Sequence, residues 1–144
     1  MAVDVTTSIV IRRPRPEVAA YVTDPGNAPS WYVNIKSVRW LSTPPLGVGS
    51  KIAFVAQFLG RRLEYVYEVV EFAPGERLAM RTAQGPFPME TVYSWSDTPD
   101  AATHMTLRNH GTPAGFSALA APGLALAMRR ANQRDLMRLK SILE

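Results

Sequence analysis

Apolar and polar residues alternate through most of the chain before residue 111, a period of two that marks strands with one buried face. Val3 to Arg12 opens with β-branched residues in partial alternation and predicts the first strand. Pro14-Arg15-Pro16 stops it. Pro16 suits the first turn of a short helix, Pro16 to Val22, with Val18, Ala19 and Val22 on one side. Asp24-Pro25-Gly26-Asn27 is a turn, and a second short helical or irregular segment, Ala28 to Val33, carries Trp31 and Tyr32.

Six strand patterns follow, joined by turn residues: Ile35 to Ser42, Lys51 to Leu59, Leu63 to Phe72, Arg77 to Thr82, Met89 to Ser96 and Thr103 to His110. Ile52, Phe54, Ala56 and Phe58 alternate on one face. Leu63, Tyr65, Tyr67 and Val69 do the same, as do Met89, Thr91, Tyr93 and Trp95. Leu78, Met80, Met105 and Leu107 point inward on their strands, and Asn109 follows Leu107 on the same side. The phase slips at Val70-Glu71-Phe72, which predicts a bulge or strong twist. Gly111 to Gly123 reads as a loop carrying Phe116.

Leu124 to Leu143 contains no proline or glycine. Leu124, Met128, Ala131, Leu136, Leu139 and Leu143 recur at helical spacing, which predicts an amphipathic helix of about 20 residues and about 30 Å. Arg130, Arg134 and Arg138 line up on its other side as a solvated ridge. The order is therefore strand, two short helices, six hairpin-linked strands and one long helix. That is an α+β arrangement of about seven antiparallel strands, in which one sheet must curve around one long helix and can leave a cavity between them.

The 144 residues suit a single domain spanning 1–144, large enough to bury a core without a staple. There is no cysteine, which removes disulfides, thiolate nucleophiles and thiolate metal sites. The net charge is +4, but the basic residues are dispersed and make no nucleic-acid stripe. The N-terminal stretch MAVDVTTSIVIRRPRPEV lacks the order of a signal peptide, and no apolar run is long enough to span a membrane. A soluble, cytoplasmic monomer or homodimer is expected.

Several local patterns, in this order, resemble the polyketide cyclase/dehydrase and START-like superfamily, the SRPBCC or Bet v 1-like helix-grip fold. They are Ile9-Val10-Ile11 followed by Arg13-Pro14 and Pro16-Glu17-Val18-Ala19-Ala20-Tyr21-Val22-Thr23-Asp24; Asn27 to Trp31; and Gly47-Val48-Gly49-Ser50 entering a strand. Gly60-Arg61, Glu68-Val69, Pro74-Gly75-Glu76-Arg77-Leu78, Thr103-His104-Met105-Thr106-Leu107, and Asp135-Leu136 with Leu139-Lys140 complete the set. The resemblance covers essentially the whole chain. It implies a mainly hydrophobic pocket between the sheet and the last helix, in a superfamily of lipid and sterol carriers, hormone receptors and aromatase/cyclases. No single catalytic motif carries over, and fold alone does not give function.

The expected ligand-binding set is Phe54, Phe58, Tyr65, Tyr67, Met80, Tyr93, Trp95, Asn109, Phe116, Met128 and Asn132. The aromatic rings supply apolar area with a polar tip, and the two buried amides need partners that a ligand can provide. Each also has a plain reading as core packing or as a bond to loop backbone. Trp31 and Tyr32 fit a pocket mouth or a helix anchor equally well. His104 and His110 face away from the core and have no third metal ligand nearby. Glu64, Glu68 and Glu90 solvate the outer face, while the phase slip leaves Glu71 ambiguous. No Gly-x-Ser-x-Gly elbow or dinucleotide loop occurs, and no cofactor or metal is implied. The expected partner is a small apolar molecule, lipid, polyketide or isoprenoid-like. The alternative is a cyclase or dehydrase acting in the same cavity, and membrane contact through the arginine ridge is a minor possibility.

Overall fold

The computed structural model describes residues 3–58, 60–84, 88–111 and 121–144, apart from the side chains of residues 58, 84, 121 and 122. In chain order the elements are β1 (Val3–Ile11), α1 (Arg15–Val22), a 3-10 turn (Pro25–Asn27), α2 (Ala28–Trp31), β2 (Ile35–Trp40) and β3 (Lys51–Phe58). Then come β4 (Arg61–Ala73), β5 (Arg77–Gln84), β6 (Met89–Asp97), β7 (Thr103–Gly111) and α3 (Ala121–Leu143). The strands form one seven-stranded sheet in the order β1-β7-β6-β5-β4-β3-β2, and every neighbouring pair is antiparallel. The sheet curves about α3 in a helix-grip arrangement. Among the described residues, no helix is long and apolar enough to cross a membrane.

Element boundaries follow local chemistry. In β1 the alternation of Val3, Val5, Thr7 and Ile11 inward with Asp4, Thr6 and Ser8 outward sets its buried face. Pro14, in extended conformation, ends the strand region and caps α1. Between β4 and β5 the chain reverses at Gly75, whose φ of +79° is open to glycine and strained for other residues. The Arg15 guanidinium donates to the Gly75 carbonyl at 2.8 Å and pins that turn to α1. The last helix starts at Ala121, three residues earlier than its apolar period predicts. Pro122 and Gly123 fall in its first turn, where a missing N–H costs nothing.

The slip in β4 is a bulge. Its register jumps between Val69 and Glu71, so Val70 is the extra residue. Val69 faces the core, while Glu71 is turned outward and pairs with Arg77 at 2.8 Å. This removes Glu71 from the interior. His110 also lies on the outer face, opposite Glu90, with Nε2 at 3.4 Å from the carboxylate.

The arginine ridge on α3 is more than a solvated face. Arg138 donates to the Ser30 carbonyl at 2.6 Å and Arg134 to Asn34 Oδ1 at 3.4 Å, tying the helix to the segment around α2. At the other end of the chain, the Arg12 backbone N–H and Lys140 both donate to the Glu144 carboxylate.

The apolar interior divides into three groups. The largest packs Val18 and Trp31 with Val69, Leu78, Trp95, Met105 and Leu107 of the sheet and with Leu136 and Leu139 of α3. A second joins Val3, Val5 and Met89 to Leu124 and Met128. A third holds Ala28, Ile52 and Phe54 near β2. Residues of all three groups line the space left between them.

Candidate functional site

That space is a cavity of about 170 Å³ between the inner face of the sheet and α3. A wider depression of about 430 Å³ lies around Ser37, Arg39 and Glu64 of β2 to β4, bordered also by Phe54 and Tyr65. The inner cavity has the features of a small-molecule site: a mostly apolar wall with a few converging polar groups.

Strand register builds the wall. Phe54 and Tyr65 are cross-strand partners on β3 and β4, and Tyr67 follows Tyr65 on the same face. The Phe54 and Tyr67 rings meet edge-on at 5.8 Å, and Tyr65 and Tyr67 lie tilted at 5.8 Å. Met80 pairs with Thr91, and Thr91 with Asn109, so β5, β6 and β7 deliver one row of side chains into the cavity. From α3, Met128, Ala131, Asn132 and Asp135 complete it.

The row is joined by hydrogen bonds. Asn132 Nδ2 donates to Asn109 Oδ1 at 2.6 Å, and Asn109 Nδ2 donates to Thr91 Oγ1 at 2.8 Å. Thr91 Oγ1 donates in turn to Tyr67 Oη at 3.4 Å. Two amides, a hydroxyl and a phenol thus share three hydrogen bonds in a space where each alone would be costly. A second polar contact links Tyr32 Oη and Tyr93 Oη. Burial raises the pKa of Tyr32, Tyr65, Tyr67 and Tyr93 above the ordinary phenol value, so all four are neutral hydrogen-bonding groups at neutral pH.

Asp135 is the charged member. It is 2% exposed, and its Oδ1 accepts from the Val33 backbone N–H at 3.0 Å. Burial raises its pKa from 3.8 to about 6, against the opposing effects of the Val33 bond and of Arg134 and Arg138. The fold therefore favours the neutral acid. That contribution is fully present below about pH 3.8 and is lost as pH rises through about 6. Asp135→Asn keeps an acceptor for Val33 and removes the buried charge. It is expected to stabilise the protein at pH 8 by on the order of 1–3 kcal/mol and to give no gain at pH 4, read from urea unfolding at both pH values.

Of the residues expected from the sequence, Phe54, Tyr65, Tyr67, Met80, Tyr93, Asn109, Met128 and Asn132 line the cavity. Trp95 does not. It is 4% exposed, stacked on Tyr93 at 6.2 Å, and packed into the largest core group beyond the cavity wall. Phe116 and the Phe58 side chain lie outside the described residues. Trp31 and Tyr32 both reach the wall, and Trp31 is a core residue at 1% exposure as well. Thr91 and Asp135 were missed as site residues. Thr91 alternates with Tyr93, and Asp135 lies three residues after Asn132 and seven after Met128 on the helix face toward the sheet. Helical phase was the available signal for Asp135.

The family model described as polyketide cyclase / dehydrase and lipid transport matches residues 2–144. The chain belongs to this family. Its fold recurs in solved structures of low sequence identity. A START superfamily protein from Mycobacterium smegmatis has 14% identity and a TM-score of 0.84, over 97% of this chain and 96% of that one. The Zhui aromatase/cyclase from Streptomyces sp. R1128 has 12% identity and a TM-score of 0.83, over 99% and 94%. Ginseng major latex-like protein 151 from Panax ginseng has 10% identity and a TM-score of 0.80, over 100% and 99%. No curated protein matches in sequence. Membership of the polyketide cyclase / dehydrase and lipid transport family agrees with the cavity's place between sheet and long helix; identities this low extend the likeness to fold alone.

Proposed function

We propose that this protein binds a small apolar molecule, of lipid, polyketide or isoprenoid type, in the cavity between the sheet and α3. The observation that carries the reading is the failure of the three core groups to merge: they leave about 170 Å³ lined by rings and aliphatic side chains. An engineered apolar cavity of about 150 Å³ holds benzene, whereas drug-sized ligands occupy roughly 300–1,000 Å³. In this conformation the space suits a molecule of one or two rings, and a longer ligand requires the sheet and helix to part.

A cyclase or dehydrase acting in the same cavity is the second reading. Such chemistry needs an acid or base beside the substrate. Asp135, with a pKa raised to about 6, supplies a group of that kind, and neutral phenols stand in the same wall. One of the structural relatives is an aromatase/cyclase.

Native mass spectrometry of the purified protein, followed by extraction and small-molecule analysis, separates these outcomes. A reproducible bound apolar compound is the expected result. An unshifted mass, combined with no rise in Tm on adding naphthalene, would overturn the binding reading. Turnover of a poly-β-ketone that is lost in Asp135→Asn would move the assignment to the enzyme.

A further inference from the structure

The polar groups of the cavity have unused hydrogen-bonding capacity, and its distribution specifies a ligand. Asp135 Oδ1 is occupied by the Val33 N–H, while Oδ2 has no hydrogen-bond partner among the described residues. No described cation forms an ion pair with this carboxylate. Arg134 and Arg138, on its own helix, direct their guanidiniums to Asn34 and Ser30 instead. Across from it stand Tyr32 after α2 and Tyr93 on β6, with Tyr67 on β4 near both, and all three are neutral phenols. A carboxylate in this setting costs stability that a leucine at the same helix position would not.

The amide row runs in one direction. Each member donates to the next, from Asn132 through Asn109 and Thr91 to the Tyr67 oxygen. Tyr67 accepts at the end of this series, so its own O–H remains to be given, and no acceptor for it occurs among the described residues. The cavity therefore offers an acceptor at Asp135 and a donor at Tyr67, with the Tyr32–Tyr93 hydroxyl pair near both and one O–H of that pair also left to give.

We propose that the natural ligand is a compact one- or two-ring molecule bearing a hydroxyl that donates to Asp135 Oδ2, with an oxygen acceptor elsewhere on the molecule receiving the Tyr67 O–H. This rests on the reading of the cavity as a ligand site. It assigns to Asp135 the role of polar anchor, and to the amide row the orientation of Tyr67. A hydroxyl meets the carboxylate with a charge-assisted bond, while an ether of the same shape leaves it unpaired.

The test is a calorimetric titration of the protein with naphthalene, 2-naphthol and 2-methoxynaphthalene at pH 7.5 and pH 5. At pH 7.5 the naphthol is expected to bind about 10- to 100-fold more tightly than the methyl ether. At pH 5, below the point where Asp135 takes up its proton, that advantage shrinks severalfold. Asp135→Asn, with the free oxygen replaced by an N–H donor, is expected to abolish the preference at both pH values while still binding naphthalene. Equal affinity of the wild-type protein for naphthol and ether, with naphthalene bound, would overturn the anchor and leave the cavity reading standing. Binding of none of the three would overturn both. If the variant does not fold, a naphthol preference unchanged between pH 7.5 and pH 5 overturns the proposal by itself.

Discussion

Trp31→Ala is expected to lower stability by about 3–5 kcal/mol, a fall in Tm of about 10–15 °C. Trp31 is 1% exposed and sits at the end of the four-residue helix α2, too short to hold itself together. Its indole packs against Tyr32 at 4.0 Å and meets Tyr93 edge-on at 6.2 Å. Removing it takes away the main apolar anchor of α2 and opens the cavity wall on that side. Trp31→Phe makes the contrast. The indole Nε1 is buried with no partner among the described residues, so the smaller ring loses contacts but also sheds an unsatisfied donor. Its net cost is expected to stay within about 1 kcal/mol. Thermal unfolding of both variants checks this, and a loss below about 1 kcal/mol for Trp31→Ala would show that Trp31 is not what holds α2 to the core.

Asn109→Leu is expected to cost about 2–4 kcal/mol, and the double variant Asn109→Leu/Asn132→Leu less than that. Asn109 occupies the middle of the amide row, accepting from Asn132 and donating to Thr91. A leucine there leaves the Asn132 amide donor and the Thr91 oxygen buried without those partners, at about 1–3 kcal/mol each. Replacing Asn132 as well removes one of the stranded groups, so the second substitution restores part of what the first removed. Urea unfolding of the two single variants and the double measures the coupling. Additive losses would mean that the row is not a cooperative unit.

Much of the architecture was legible because two periods carry it. Alternation placed Phe54, Tyr65, Tyr67, Met80, Tyr93 and Asn109 on the inner face, and the helical repeat placed Met128 and Asn132 opposite them. Periodicity reports which face a residue occupies but not how deep it lies. Tyr93 and Trp95 share a face, yet one borders the cavity and the other is packed in the core group that includes Val18 of α1 and Leu139 of α3. Glu71 was unreadable for a different reason. One extra residue, Val70, reverses the phase of the strand after it, and nothing local fixes which residue will be extra. Asp135 is hard to read as a site residue because a carboxylate on an apolar stripe conflicts with what burial alone would choose. Such conflicts between local rule and fold concentrate at functional sites.

The pairing of β1 with β7 has a consequence for how the chain is made. Thr7 lies opposite Leu107, so the first strand waits for residues about a hundred positions later before it gains a neighbour. At roughly 5–20 residues per second, a ribosome leaves it unpaired for at least about 5–20 s. During that interval Val3, Val5 and Ile11, all buried at the end, are exposed on a nascent chain whose remaining strands can already zip together as successive hairpins from β2 toward β7. The strand β1 is thus the last of the sheet to gain its neighbour, and closure of the fold around its cavity has to await the synthesis of β7 and α3.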